Sequence, residues 1–188
     1  PHPTYGVPLP GDVWAQHKTQ NNPTNGVHGL YDGIIGNNAN TYFSPSTSGL
    51  PQGITIDLGR ECKLSRIVLW PRKNGTSNYG HSFPKSIAFY GSNKPSPLGV
   101  TTENGVTVPD NSWSLLGDFI CIPPSGATEL AEVTELDKEF VEANGHTYEI
   151  STDAPSVRYL RLWTKEVWLT TNKFVCIAEI DVYGEYIE

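Results

Sequence analysis

The sequence predicts an all-β protein, an antiparallel β-sandwich with one short helix, and three observations support this prediction. The chain has 188 residues, which is about the length of one domain. It contains 18 Gly and 15 Pro beside 37% hydrophobic residues, so it can build a core but is interrupted by many turns. Its apolar segments follow one another without alternating helices, which favours antiparallel over parallel strands.

The predicted strands begin well inside the chain. Pro1–Gly26 is rich in Pro, Asn and Gln and is predicted to be an extended leader to a sandwich domain over residues 27–188. Ile54–Gly59 alternates apolar and polar residues, and Leu64–Trp70 is an apolar run rich in β-branched residues, so both are typical of strands. Five further strands are predicted on the same grounds: 86–90, 113–122, 147–150, 157–163 and 177–183.

One helix is predicted, over Thr134–Ala143. Thr134 and Asp137 have the spacing of a capping box, and Gly145 can end the helix. Three apolar residues recur at helical intervals in this segment: Val133, Leu136 and Phe140. The helix is therefore predicted as an insertion between strands.

The three cysteines carry little information. Cys62, Cys121 and Cys176 each lie among apolar neighbours and form no CxxC motif. We predict buried free thiols. A single bridge, such as one between Cys62 and Cys176, is the alternative, because distant strands can be neighbours in a sandwich.

Charge and composition exclude several function classes. The formal net charge is -7, with no cluster of Lys and Arg, which argues against nucleic acid and against an anionic membrane as partners. No apolar run approaches the roughly 20 residues of a membrane-spanning helix. The chain contains no Met, so it is interpreted as a processed chain or as a domain of a longer protein.

Catalytic signatures are absent from the sequence. It contains no GxSxG, HExxH, phosphate loop or dinucleotide-binding motif. The five His residues show no paired metal-ligand spacing. A glycosidase-like pair of carboxylates could be assembled by the fold, but nothing in the sequence selects one. The sequence therefore predicts a protein that is not an enzyme.

Oxygen donors cluster near both ends of the predicted domain. Gly29–Gly33 and Asn38–Phe43 form a Gly- and Asn-rich loop region that suits a hard cation such as calcium. In the last strand, Glu179 and Asp181 alternate with Ile180 and lie on the opposite face from it. Spacing alone favours the simpler interpretation, in which Asp32-Gly33 is a turn and Glu179 is solvated.

Several motifs occur together in one order along residues 27–184. They are DG followed by NxNTYF, then ITIDLG, LWPR, FYGS, VRYLRL and AEIDVYG. This ordered set resembles the discoidin, or coagulation factor V/VIII type C, family, which includes the family-32 carbohydrate-binding modules. The resemblance implies a galactose-binding-like β-sandwich of jelly-roll type that binds glycan or polysaccharide without catalysis.

The chain is also similar to the C-terminal discoidin-like domains of gut-bacterial polysaccharide-utilisation surface proteins, which often begin with a segment like Leu9–Asp12. This similarity implies an extracytoplasmic location: the bacterial cell surface, outer membrane or periplasm, or secretion. It also implies neighbouring domains in a longer parent chain.

The family resemblance implies a structural calcium ion that ties the first long loop to the last strand. In many relatives such an ion satisfies loop carbonyls and neutralises carboxylates. Ile34–Gly36 departs from the family pattern as an insertion in this loop. The ligands carry over to six positions: Gly29, Asp32, Asn38, Thr41, Ala178 and Glu179.

The resemblance also implies that ligand-binding residues lie in loops at one end of the sandwich. Sugar rings stack on aromatic side chains, and their hydroxyls pair with amide, imidazole or guanidinium groups. Trp168, between charged residues and threonines, is predicted to be partly exposed. The candidate ligand-binding residues are Arg72, Asn74, Tyr79, His81, Lys165 and Trp168.

Alternatives stand beside these assignments. Arg72 could pair with a carboxylate or carbonyl, His81 could be an ordinary surface residue, and Trp168 could pack against the leader or a neighbouring domain. Trp70, Trp113 and Trp163 lie in or beside strand patterns and are predicted to be core residues. The alternative function is a structural or protein-interaction module with no sugar ligand.

Overall fold

The computed structural model describes residues 27–36, 41–44, 46–47, 49–73 and 78–188. The predicted leader, Asn38 and Asn74 lie outside these residues. The described residues contain ten strands: β1 (Tyr42–Phe43), β2 (Gln52–Trp70), β3 (Pro84–Ser92), β4 (Val100–Glu103), β5 (Val106–Pro109), β6 (Ser114–Ile120), β7 (His146–Glu149), β8 (Val157–Val167), β9 (Cys176–Ile177) and β10 (Glu179–Tyr186). They also contain helix α1 (Glu135–Asn144) and two 3-10 helices, Val27–Leu30 and Leu130–Glu132.

The strands pair antiparallel throughout the described chain. The main sheet has the order β10-β2-β8-β3-β6, and β7 also pairs with β2. Strands β1 and β9 form a short pair, and β4 and β5 form a hairpin. The predicted fold class, an antiparallel β-sandwich with one short α-helix, is confirmed.

Strand β2 joins two segments that the sequence predicts as separate strands. Gly59 has a φ of 81° and lies where the pairing of β2 with β8 shifts, between Asp57 and Cys62. The Asp57 carboxylate accepts a hydrogen bond from the Gly59 amide at 2.8 Å. Because the chain bends here without leaving the sheet, the first half of β2 pairs with β8 and the second half with β7 and β10.

The core lies against the inner face of the main sheet. Strand β10 places Ile180 and Val182 in this core and Glu179 on the other face, as the alternation predicts. All three cysteines are buried and unpaired, which confirms free thiols. A Cβ atom at Gly184 would lie 2.3 Å from the Lys63 carbonyl oxygen, so the pairing of β10 with β2 requires glycine there.

Helix α1 lies one residue later at each end than the predicted Thr134–Ala143, and its capping residues are the predicted Thr134 and Gly145. The Asp137 amide donates to the Thr134 hydroxyl at 3.2 Å, and the Thr134 amide donates to the Asp137 carboxylate at 2.8 Å. Gly145 follows the helix with a φ of 67°. No helix in the described part of the chain has the length and apolar character needed to cross a membrane.

The buried face of α1 differs from the one that its apolar repeat indicates. Asp137 and Val141 are buried, whereas Leu136 is 75% exposed and Phe140 is 47% exposed. Asp137 is buried because its carboxylate accepts hydrogen bonds from the Ser125 amide at 2.9 Å and hydroxyl at 2.7 Å. A polar anchor, rather than the apolar repeat, therefore sets the orientation of the helix.

Candidate ligand-binding site

Three chain segments meet beyond the end of β2: the segment that contains β1, the loop between β2 and β3, and the loop between β8 and β10. Backbone hydrogen bonds of 3.0 Å join them at three places: Lys73 N to Gly36 O, Ser44 N to Val175 O, and Cys176 N to Ser82 O. Distant parts of the sequence thus form one surface at this end of the sandwich.

Ser82 fixes the end of the loop between β2 and β3. It is a non-glycine residue with a φ of 65°, and it is fully buried. Its hydroxyl accepts a hydrogen bond from the Asn172 side-chain amide at 2.6 Å. This contact holds the left-handed turn directly after His81 against the loop that follows β8.

Four side chains form what we call the Arg72 cluster: Phe43, Arg72, His81 and Phe174. The His81 ring centroid lies 5.5 Å from that of Phe43 and 6.0 Å from that of Phe174, both edge-on. The Arg72 Cζ lies 5.8 Å from the Phe43 centroid. The three rings are half-buried, and Arg72 is 7% exposed. The structure therefore brings together two of the predicted ligand-binding residues, Arg72 and His81.

The electrostatics of the cluster follow from its burial. Burial and the nearby charge of Arg72 lower the pKa of His81 below its usual value, so the imidazole is neutral at pH 7. The Arg72 Nε is buried and has no hydrogen-bond partner among the described residues. A neutral imidazole and an unused guanidinium face can both bind oxygen-rich ligands.

Tyr79 does not join this cluster, and its predicted role as a ligand contact is wrong for the described conformation. It is 1% exposed. Its hydroxyl forms a 2.8 Å hydrogen bond with the His146 Nε2, and its ring packs edge-on against Trp168 and Phe83. Tyr79 is a core residue beneath the loops.

The expectation that Trp168 is partly exposed is also wrong, because only 2% of its surface is accessible. Its amide donates to the Phe83 carbonyl oxygen at 3.1 Å, which extends the pairing of β8 with β3 by one residue. Its ring lies under the Lys85 ammonium, 5.3 Å from the centroid. Trp168 therefore continues a strand and packs inward.

Lys165 lies on β8 and is engaged elsewhere. Its ammonium pairs with the Asp118 carboxylate on β6 at 2.5 Å.

Of the three tryptophans predicted to be core residues, Trp113 and Trp163 are buried. Trp70 is only half-buried, and its Nε1 donates to the Asp181 carboxylate at 2.8 Å.

Phe43 and Phe174 are the cluster residues that sequence reasoning missed. Both lie in segments that the sequence singles out, since Phe43 ends the NxNTYF motif and Phe174 lies in the same loop as Trp168. Trp168 was predicted as the aromatic ligand contact of this loop because it has the larger ring, whereas Phe174 is the residue that lies in the cluster. The direct attachment of Trp168 to the end of β8 was the signal that it continues the strand.

The predicted calcium region lies on the outer face of β10. Glu179 is 5% exposed, and its carboxylate accepts a hydrogen bond from the Gly33 amide at 3.0 Å. Burial, together with the charges of Asp32 and Asp181, raises the pKa of Glu179 to about 8. Among the described residues, no cationic side chain pairs with this carboxylate.

Four of the other predicted calcium ligands lie among the described residues. Gly29, Thr41 and Ala178 are buried, and Asp32 is close enough to Glu179 for its charge to raise the Glu179 pKa. No group of three or more His, Cys, Asp or Glu side chains forms a metal cluster within the described ranges. Because calcium also takes backbone carbonyl and hydroxyl oxygens, the neighbouring carboxylates of Asp32 and Glu179 are compatible with such an ion.

Comparison with solved structures identifies the class of fold. The SusE-like protein BT2857 from Bacteroides has a TM-score of 0.77 and 24% identity, over 99% of this chain and 64% of that one. The third carbohydrate-binding module, of family 32, from a family 31 glycoside hydrolase of Clostridium perfringens has a TM-score of 0.55 and 17% identity, over 84% of this chain and 81% of that one. The fold is therefore that of the discoidin-like, galactose-binding-like domains.

A further match is the family 32 module of Clostridium perfringens NanJ in complex with galactose, with a TM-score of 0.51 and 18% identity, over 87% of this chain and 88% of that one.

No curated protein matches the chain. The model of the family DUF5000, described as a domain of unknown function, matches residues 31–184. The chain belongs to this family.

Proposed function

We propose that this domain is a non-catalytic carbohydrate-binding module that holds glycan at the Arg72 cluster. The observation that carries the proposal is Arg72, a buried guanidinium that makes no hydrogen bond to any described residue and lies beside half-buried aromatic rings. Sugars carry hydroxyls for such a guanidinium and C–H faces for such rings. Structural likeness to carbohydrate-binding modules supports the same function.

A glycan-array screen of plant, host and microbial glycans tests this proposal, followed by titration calorimetry on each hit. Arg72→Ala and Phe174→Ala are expected to weaken binding about tenfold or more, since each removes a direct contact. Arg60→Ala is the matched control, because Arg60 is an exposed arginine stacked on Tyr186 in the sheet. Binding that survives both cluster substitutions would place the site elsewhere.

The proposal includes one structural calcium ion between the first loop and β10. Asp32 and Glu179 would supply carboxylates, while Gly29, Thr41 and Ala178 would supply neutral oxygens, together with the predicted ligand Asn38. The ion would offset the cost of holding the Glu179 carboxylate in a buried position next to Asp32. Its role would be to fix the loop that carries Phe43 towards the Arg72 cluster.

Thermal unfolding with calcium and with chelator tests the ion. Calcium is expected to raise the unfolding midpoint by about 5 °C, because a ligand that binds only the folded state stabilises it. Glu179→Gln is expected to abolish this increase, and Glu185→Gln, at an exposed position of the same strand, is expected to retain it. Equal midpoints with calcium and chelator would show that the loop needs no ion.

The parent protein is proposed to be longer than this chain and to lie outside the cytoplasm, at a bacterial cell surface or outer membrane, in the periplasm, or secreted. This chain spans 64% of the length of the SusE-like protein that it matches. That match supports both a neighbouring domain and a location at the bacterial surface. Labelling of intact cells with an antibody against the domain would test the location.

A protein-interaction module is the second candidate function. Leu136 and Phe140 are neighbours on one face of α1 and remain largely exposed, as expected of a contact surface for another protein domain. A glycan array without a single hit would favour this candidate over the first.

A further inference from the structure

Arg72 differs from the two other strongly engaged arginines, Arg158 and Arg161, in what it contacts. Arg158 donates two hydrogen bonds of 2.9 Å to the Asp57 carboxylate. Arg161 is fully buried, and it donates to the Gly99 carbonyl oxygen at 2.6 Å. Arg72 is almost as buried, but among the described residues it forms neither a hydrogen bond nor an ion pair.

Among the described residues, no carboxylate therefore pairs with the charge of Arg72. Removing a guanidinium from water without a partner is costly. The segments 37–40 and 74–77, which adjoin the cluster in sequence, contain no acidic residue, and Asp12 is the only acidic residue outside the described chain. Within the described part of the chain, the cation packs beside Phe43 and the neutral ring of His81.

An arginine in this state fits an anionic ligand better than a neutral one. Carboxylates and sulfates accept two parallel hydrogen bonds from a guanidinium and neutralise its charge. A single hydroxyl accepts a hydrogen bond from the guanidinium but leaves its charge unneutralised. Phe43 lies beside the cation and Phe174 lies beside Phe43, so two apolar rings can meet the face of a pyranose. The cluster thus combines a sugar-stacking surface with an anion-binding group.

We propose that the Arg72 cluster is specific for acidic glycans, in which an anionic oxygen group on the sugar, a uronate carboxylate or a sulfate ester, binds the Arg72 guanidinium. This inference rests on the proposed function and narrows its ligand class. The net charge of -7 makes the protein as a whole repel such glycans, so the attraction is local to this site.

The test compares glycans that differ only in charge. Polygalacturonate and alginate are each titrated in their native form and in a carboxyl-reduced form, in which every uronate has become a neutral hexose. A sulfated galactan and its desulfated form make up the third pair. The wild-type domain is expected to bind the anionic member of at least one pair roughly tenfold or more tightly than the neutral member.

Variants test whether Arg72 causes the preference for the anionic glycan of each pair. Arg72→Gln keeps the length and polarity of the side chain but removes its charge, so the ratio of the two affinities is expected to fall close to one. Arg60→Gln, at an exposed arginine, is expected to preserve the ratio. Circular dichroism confirms that each variant is folded, and the wild-type comparison of paired glycans stands without any variant.

The outcomes separate this inference from the proposed function. A preference within a polyuronate pair assigns the carboxylate, and a preference within the galactan pair alone assigns the sulfate ester. Equal binding of charged and neutral members by the wild type overturns the inference and leaves glycan binding in place. An absence of binding to every member, together with an empty glycan array, overturns both.

Discussion

The Tyr79 hydroxyl and the His146 Nε2 lie 2.8 Å apart in the core, beneath the loops that carry the Arg72 cluster. Both side chains are buried, and their rings pack edge-on with centroids 5.5 Å apart. This pair joins the loop after β2 to the start of β7. Tyr79 thus supports the site from below instead of contacting a ligand.

Tyr79→Phe is expected to destabilise the domain by about 1–3 kcal/mol, because it leaves the buried His146 nitrogen without a partner. Urea denaturation measures this loss. Tyr183→Phe removes an exposed phenol and is expected to change stability by less than about 0.5 kcal/mol. A Tyr79→Phe variant as stable as the wild type would show that the hydrogen bond contributes nothing.

The stability of the domain is expected to fall on acidification through the titration of His146. Burial lowers the pKa of His146 from 6.5 to about 4, so the unfolded chain takes up the proton first. The contribution of neutral His146 to the free energy of unfolding is fully present above pH 6.5 and is lost as the pH falls towards 4. At constant calcium, thermal midpoints measured from pH 7 to 4.5 should fall more steeply for the wild type than for His146→Gln; parallel curves would contradict this account.

Asp137→Asn is expected to destabilise the domain by about 1–3 kcal/mol at neutral pH, because Asp137 caps α1 and also accepts two hydrogen bonds from Ser125. Burial raises the pKa of Asp137, but these hydrogen bonds outweigh it and lower the pKa to about 2. The wild type should therefore be more stable than Asp137→Asn above pH 3.8, and this difference in stability should disappear as the pH falls towards 2. Glu135→Gln, in the same helical turn but exposed, serves as the control in denaturation experiments.

Substitution of the two large aromatic residues in the loop after β8 should separate stability from binding. Trp168→Ala is expected to cost about 3–5 kcal/mol, because it empties a buried position. Phe174→Ala is expected to cost much less and to weaken glycan binding, since its ring is half-buried in the Arg72 cluster. Denaturation and calorimetry on both variants test this contrast, and the reverse pattern would restore Trp168 as the ligand contact.

Local sequence patterns were sufficient wherever short-range physics decides the outcome. Period-two alternation in Ile54–Gly59 and the capping residues Thr134 and Asp137 identify a strand and a helix, because strand and cap geometries depend on neighbouring residues. The ordered motifs likewise indicated the galactose-binding-like fold. The family resemblance, rather than a local pattern, selected Arg72 and His81 as candidates, and the structure brings both against Phe43.

What the sequence by itself determined was therefore the fold class, most of its strands, its helix and the segments that could form a binding end. Only the tertiary structure decided which side chains of those segments face solvent. Trp168 is buried and Phe174 half-buried because β8 remains paired with β3 through residue 168. Among the described residues, the Arg72 Nε has no polar partner, because the segments around it come from three distant parts of the chain and supply aromatic rings instead of carboxylates. The exposure of a side chain and the partners of a charge depend on contacts with residues that are far apart in sequence. A local sequence pattern does not contain these contacts.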